Sequence, residues 1–111
     1  MKLDRREQNG AIVVALAGEV DLAHSPALRK VLMDETLSGR TVVVDLSGVE
    51  YIDSSGIAAL VEGYQMAKQK SGRFALAAVS APAARVLKLA RLDQVFIIGD
   101  DIEAAIGGSL V

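Results

Sequence analysis

Short runs of apolar, mostly β-branched residues recur along the chain and predict buried strands. These runs lie at residues 11–17, 41–46 and 74–79, and a shorter run at 95–98 predicts a last strand. Asn9-Gly10 precedes the first run, and both residue types tolerate the positive φ of a tight hairpin turn. We therefore expect the largely charged residues 2–8 to form an edge strand that pairs with the first run.

Between the predicted strands the apolar positions change to helical spacing. Ser25 is typical of an N-cap and Pro26 of a first helical position, and Gly39 ends that helix. A second helix is predicted to start near Ile57, because apolar residues follow it at i+3, i+4, i+7 and i+10. Gly72 lies just beyond its end.

Two further helices complete the pattern. Residues 82–92 predict a third helix, and Asp100 with Glu103 has the spacing of a capping box that would start a short fourth one. Strands that alternate with helices indicate an α/β fold with parallel strands. We predict one domain over residues 1–111, with a mixed sheet of four to five strands and about four helices.

The amino-acid composition excludes several classes of function. The 111 residues are 51% hydrophobic with net charge −2, contain no cysteine and contain one histidine. These figures disfavour disorder, thiolate or histidine-rich metal sites, and non-specific nucleic-acid binding. The usual nucleotide, zinc and calcium motifs do not occur, so we expect no cofactor and rank an enzyme as the poorest class.

Two further expectations concern location. No apolar run approaches the roughly 18 to 20 residues that span a bilayer, so we expect no membrane insertion. The charged N-terminal residues do not resemble a secretory signal. Together with the lack of cysteine, these features favour the cytoplasm.

The segment that could carry function is a predicted loop over residues 47–56, at the carboxyl end of a strand. It ends in Asp53-Ser54-Ser55-Gly56, at the start of the second helix. One of the two serines could be the N-cap. Alternatively, a serine is displayed for modification, and Gly56 removes a side chain that would obstruct another protein.

The charges of this loop constrain the second alternative. The helix dipole favours a phosphate at its N-terminus, so unfolding is not the expected effect of phosphorylation. The loop has no Lys or Arg to bind the phosphate, whereas Glu50 and Asp53 would repel it. We therefore expect the added charge to act outward, on a partner.

The stretch VVVDLSGVEYIDSSGIAALVEGY resembles the core motif of the STAS domain family, and Gly18-Glu19-Val20-Asp21 resembles its second signature. The resemblance implies an anti-sigma factor antagonist that binds a serine kinase acting as anti-sigma factor. It implies that the kinase phosphorylates Ser55, with Ser54 as second candidate, and so releases the antagonist. A serine phosphatase would restore it. Asp21 and Asp53 match family positions that face the partner.

The same family also includes subunits and domains of membrane transporters. The alternative function is therefore a STAS subunit of an ABC-type lipid transport system or another transporter, bound to a permease or an ATPase and lacking a phosphoswitch. The intact Asp-Ser-Ser-Gly sequence favours the switch. Residues predicted to contact a partner are Asp21, Asp53, Ser54, Ser55, Gly56, Ala59, Gly63 and Met66.

Each of these assignments has a simpler structural alternative. Asp21 could instead fix its own turn, and Ala59, Gly63 and Met66 could belong to the core or a subunit contact. His24 could act as a general base for Ser55, although a lone histidine in a loop is usually a solvated side chain. A serine hydrolase built on Ser55 lacks a credible base and oxyanion site.

Overall fold

The computed structural model describes residues 1–107 and confirms the predicted α/β fold. Five strands form one sheet in the order β1-β2-β3-β4-β5. β1 pairs antiparallel with β2, and all later pairs are parallel. The strands are β1 (Lys2–Gln8), β2 (Ala11–Val20), β3 (Thr41–Ile52), β4 (Arg73–Ala77) and β5 (Ile97–Gly99).

Four helices cover the two faces of this sheet unequally. Apolar residues of the first three helices pack on one face with the main core. The fourth helix covers the other face, where Ala105 packs with Val13 and Val43. The helices are α1 (Ser25–Thr36), α2 (Ser54–Gln69), α3 (Ala81–Leu89) and α4 (Ile102–Gly107), and a 3₁₀ turn lies at Leu92–Gln94.

The predicted hairpin is present. Asn9 and Gly10 both adopt positive φ, at 50° and 82°, and they connect β1 to β2 in a two-residue turn. Every residue of β1 except Leu3 and Gln8 is exposed, which agrees with an edge strand. The opposite edge of the sheet is β5, with three residues.

Two helix caps differ from the prediction. Ser25 is not the N-cap of α1: it is the first helical residue, and His24 precedes it in the N-cap position without a side-chain cap. At α4, the Asp101 side chain accepts a hydrogen bond from Ala104 N at 2.7 Å, so the cap lies one residue after Asp100. In both cases the helix register is shifted by one residue from the predicted one.

The largest difference concerns residues 47–52, which were expected to be a loop and instead extend β3. This part of β3 pairs with the end of β2, where the register shifts between Ala15 and Ala17 and again between Gly18 and Glu19. The shifts disturb the strict alternation of buried and exposed residues that identifies a strand. Only Val49 and Ile52 are buried in this extension.

Candidate functional site

The extension of β3 places two aspartates side by side. Val20 pairs with Ile52 at the carboxyl ends of β2 and β3, so Asp21 and Asp53 follow directly on neighbouring strands. Asp53 N donates to Val20 O at 3.2 Å, which ties the two strand ends together. The segments Gly18-Glu19-Val20-Asp21 and Asp53-Ser54-Ser55-Gly56 therefore meet at the carboxyl ends of β2 and β3.

Asp53 is the N-cap of α2. Its Oδ1 accepts hydrogen bonds from Ser55 N at 2.9 Å and Gly56 N at 3.1 Å, and its backbone is extended, as an N-cap requires. The prediction that Ser54 or Ser55 caps this helix is therefore wrong. Because the helix begins at Ser54 rather than near Ile57, the aspartate occupies the position that was assigned to a serine.

The Ser55 hydroxyl donates a third hydrogen bond to the same carboxylate oxygen, with 2.5 Å between Ser55 Oγ and Asp53 Oδ1. This bond is the main reason that the pKa of Asp53 lies below its ordinary value. Burial, the second-largest influence, raises that pKa, and the backbone N–H groups of Gly56, Ser55 and Leu22 each lower it further. The carboxylate is therefore charged at neutral pH.

The two serines differ in accessibility. The Ser54 side chain is exposed, whereas Ser55 is half-buried and faces a groove between α1 and α2. The groove has a volume of about 260 Å³. It is lined by Leu22, Ser25, Pro26, Arg29, Ser55, Ala58, Ala59 and Glu62.

Asp21 and His24 form a small cluster of their own beside the groove. His24 Nδ1 lies 2.7 Å from Asp21 Oδ1, and Asp21 O accepts from the backbone N–H groups of His24 and Ser25. The backbone carbonyl of Asp21 therefore holds this turn, while the Asp21 side chain contacts His24 and keeps 30% of its surface exposed. His24 is engaged with Asp21, and the Ser55 hydroxyl with Asp53, so the geometry does not make His24 a base for Ser55.

Gly56 has a different role from the predicted one. It is buried, and a Cβ atom there would lie 2.8 Å from Ile52 Cγ1 and 2.9 Å from Val20 O. The glycine lets the first turn of α2 pack directly on the ends of β2 and β3. The expectation that Gly56 clears space for a partner is therefore corrected, because its α carbon faces the interior.

The flank of α2 formed by Ala59, Gly63 and Met66 lies mostly inside the domain. Ala59 is 3% exposed, and a Cβ atom on Gly63 would meet Phe74 at 2.9 Å and Leu32 at 3.3 Å. Helix α1 packs along this flank, which corrects the expectation that Ala59 and Gly63 present it to a partner. Met66 is half-buried.

Sequence reasoning missed two exposed apolar side chains at this edge. Leu22 is 73% exposed and directly follows Asp21, while Tyr51 is 52% exposed and precedes Ile52. A leucine in a short polar loop before a helix was the available signal. Tyr51 was hidden because its segment was interpreted as a loop.

Among residues 1–107, no helix has both the length and the apolar character needed to cross a membrane. Within the same residues, no three His, Asp or Glu side chains are grouped as ligands of a metal ion would be.

The fold and the site together define a class of protein. It is a small α/β domain with a mixed five-stranded sheet. Where β3 leads into α2, an aspartate caps the helix and two serines follow it. The chain belongs to the STAS domain family, whose model matches residues 2–105.

Individual relatives agree with this assignment. The chain is 28% identical to an anti-sigma F factor antagonist of Paenibacillus polymyxa over 104 residues, which cover 91% of this chain and 88% of that one. It is 26% identical to the anti-sigma-B factor antagonist of Bacillus subtilis, with 96% and 97% covered. A crystal structure of an anti-sigma factor antagonist from Mycobacterium paratuberculosis superimposes with a TM-score of 0.83 at 27% identity, covering 95% of this chain and 90% of that one.

Proposed function

We propose that the chain is an anti-sigma factor antagonist controlled by phosphorylation. The unmodified protein binds a serine kinase that acts as an anti-sigma factor, and transfer of a phosphoryl group from ATP to Ser55 ends the complex. A serine phosphatase returns the chain to its binding state. The curated relatives described above, both named as antagonists of anti-sigma factors, support the partner class. We place the exchange in the cytoplasm, where the kinase has ATP.

The observation that carries the proposal is that Asp53 caps helix α2 while Ser55, the candidate phosphorylated residue, does not. Because Asp53 caps the helix, the Ser55 hydroxyl can be esterified without loss of the two backbone hydrogen bonds at the cap. Phosphorylation replaces a hydroxyl donor beside the Asp53 carboxylate with a group carrying about −1.5 to −2 charges. The new charge is repelled by Asp53 and directed towards the surface.

The surface around Ser55 has the chemistry of a protein interface. Leu22, which is 73% exposed, lines the same groove as Ser55 and offers an apolar contact next to the Asp21 carboxylate. Partner residues packed against this surface would be desolvated, so an added phosphate there is costly. Each 1.4 kcal/mol of such cost weakens the complex about tenfold.

The first experiment identifies the modified residue. The protein is incubated with its candidate kinase and ATP, and the product is analysed by intact mass and peptide mapping. We expect one phosphate, on Ser55. Phosphate confined to Ser54, or no phosphate with a kinase that demonstrably binds, would contradict the assignment of Ser55.

The second experiment separates loss of binding from loss of folding. Ser55→Asp should weaken binding to the kinase at least about tenfold while the melting temperature stays nearly unchanged. The matched control is Ser71→Asp, since Ser71 is exposed just beyond the other end of α2. A large drop in the melting temperature of Ser55→Asp would mean that Ser55 is mainly structural.

The third experiment tests the surface itself. Leu22→Ala should weaken binding by about tenfold, the value expected when a leucine side chain is largely buried in a complex. Leu89→Ala is the control, because Leu89 is 81% exposed at the far end of α3. Equal effects of the two substitutions would place the interface elsewhere.

The alternative function, a subunit of a membrane transporter, predicts different experimental results. A transporter subunit would co-purify with a permease or an ATPase and would gain no phosphate from a serine kinase. The names of the two curated relatives and the intact Asp-Ser-Ser-Gly sequence favour the antagonist.

A further inference from the structure

The groove beside Ser55 contains a charge pair that the proposed switch does not use. Arg29 of α1 lies with its Nε 2.5 Å from Glu62 Oε2 of α2. The pair is a contact of opposite charges rather than a directed hydrogen bond, since no donor in residues 1–107 is aligned on Glu62 Oε2, which is buried. The Arg29 side chain is 61% exposed, so it is free to reorient.

Ser55 and this pair line the same groove. Ser55 and Glu62 lie on one face of α2, two helical turns or about 10 Å apart. Arg29 faces them from α1 and is the one positively charged residue among the eight described residues that line the groove. The sequence around Ser55 contains no cation, but the fold brings one from a different helix.

We infer that Arg29 is an internal receptor for the phosphate on Ser55, and that phosphorylation moves its guanidinium from Glu62 towards the phosphoserine. The inference deepens the proposed function and rests on it for the identity of the modified residue. No bond other than the serine ester is made, and Arg29 only exchanges one anionic partner for another.

The exchange is favoured by charge and by shape. A phosphoserine carries up to twice the charge of the Glu62 carboxylate and offers three acceptor oxygens. The planar guanidinium can bind two of them at once, whereas its present contact with Glu62 lacks an aligned donor. Glu62 keeps 34% of its side-chain surface exposed and can turn towards water when Arg29 leaves. An Arg29 side chain drawn towards Ser55 would also narrow the groove in the phosphorylated form.

The test measures the phosphate directly. Phosphoserine is installed at position 55 of the full chain by genetic code expansion, which needs no kinase, and its second pKa is followed by ³¹P NMR titration at low ionic strength. A nearby cation favours the dianion, so Arg29→Gln should raise this pKa by about 0.15 to 0.7 unit, the range expected of an exposed ion pair. Glu62→Gln should lower it, because the competing anion is gone.

Lys30→Gln is the matched control. Lys30 is the next residue of α1, is 78% exposed, pairs with Asp34 and does not line the groove. It should leave the phosphoserine pKa unchanged. Equal shifts for Arg29→Gln and Lys30→Gln, or no shift for Arg29→Gln, would overturn the inference. Failure of the unmodified protein to bind a kinase would instead contradict the proposed function and leave this titration unaffected.

Discussion

Helices α2 and α3 begin at the carboxyl ends of the neighbouring parallel strands β3 and β4, and each starts beside a half-buried serine. At α3, Ser80 is itself the cap: its Oγ accepts from Ala83 N at 3.3 Å and donates to Val49 O at 2.7 Å. At α2, Asp53 is the cap and Ser55 only adds a hydrogen bond to it.

The comparison teaches how a serine becomes available for modification. A phosphate on Ser80 would disturb the cap hydrogen bond from Ala83 N and also break the bond to Val49 O that ties the start of α3 to β3. A phosphate on Ser55 breaks one hydrogen bond, between two half-buried side chains at the start of α2. At α2 the cap and the candidate phosphorylated serine are therefore different residues, whereas at α3 the serine is the cap. The predictions below test this contrast, in order of decreasing effect.

The largest effect is expected where α2 packs on the strand ends. Gly56→Ala should lower the free energy of unfolding by about 1–3 kcal/mol, because its Cβ would lie within 3 Å of Ile52 and Val20. Urea denaturation measures the change. Gly107→Ala is the control, since a Cβ there meets nothing within 4 Å. If the two variants are equally stable, the close approach of α2 to the strands has no energetic importance.

The second effect tests the structural serine. Ser80→Ala removes the cap of α3 and the donor to Val49 O, so we expect a loss of about 1–2 kcal/mol in the same denaturation experiment. A loss below that of Ser55→Ala would remove the contrast between the two helix starts.

The third effect concerns Ser55, the serine at the start of α2. Ser55→Ala leaves both backbone hydrogen bonds to Asp53 in place, and we expect the free energy of unfolding to change by less than about 0.5 kcal/mol. Ser54→Ala, at the exposed position beside it, should behave in the same way. A loss comparable to that of Ser80→Ala would show that Ser55 is needed for the fold.

The smallest effect is a pH dependence that belongs to Asp53. Its pKa is lowered in the folded protein, so its stabilising contribution is complete above the unfolded value of about 3.9 and is lost as the pH falls through the folded value. Asp53→Asn lacks this titration and keeps a side chain that can cap a helix. The stability difference between wild type and variant should therefore decrease as the pH falls below about 3.9. A stability difference that does not change with pH would contradict this role of Asp53.

Much of the fold could be predicted because local signals agreed with it. The Asn9-Gly10 turn, the β-branched run at 41–46 and the apolar face that begins at Ile57 each determine an element without reference to distant residues. The extension of β3 could not be found in this way. Its strand character depends on two register shifts in pairing with β2, and these leave a pattern of buried residues that matches no simple period.

The position of the site could be predicted from the sequence, but the arrangement of its side chains could not. The motif at Asp53 and Ser55 was evident from the sequence, whereas the roles of its members depended on where the helix begins. Gly56 was assigned to the outside because nothing local shows that Val20 lies beneath it. Arg29 could not be found at all, since only the packing of α1 against α2 brings it into the groove with Ser55.

The borders of the sheet have a consequence for how the protein meets other chains. β1 has charged side chains at five of its seven positions, and β5 offers only three residues for pairing. Long, flat, uncharged borders are the ones that recruit extra strands and start aggregates. Neither border here combines these properties, so neither edge strand is suited to recruit a strand of another chain.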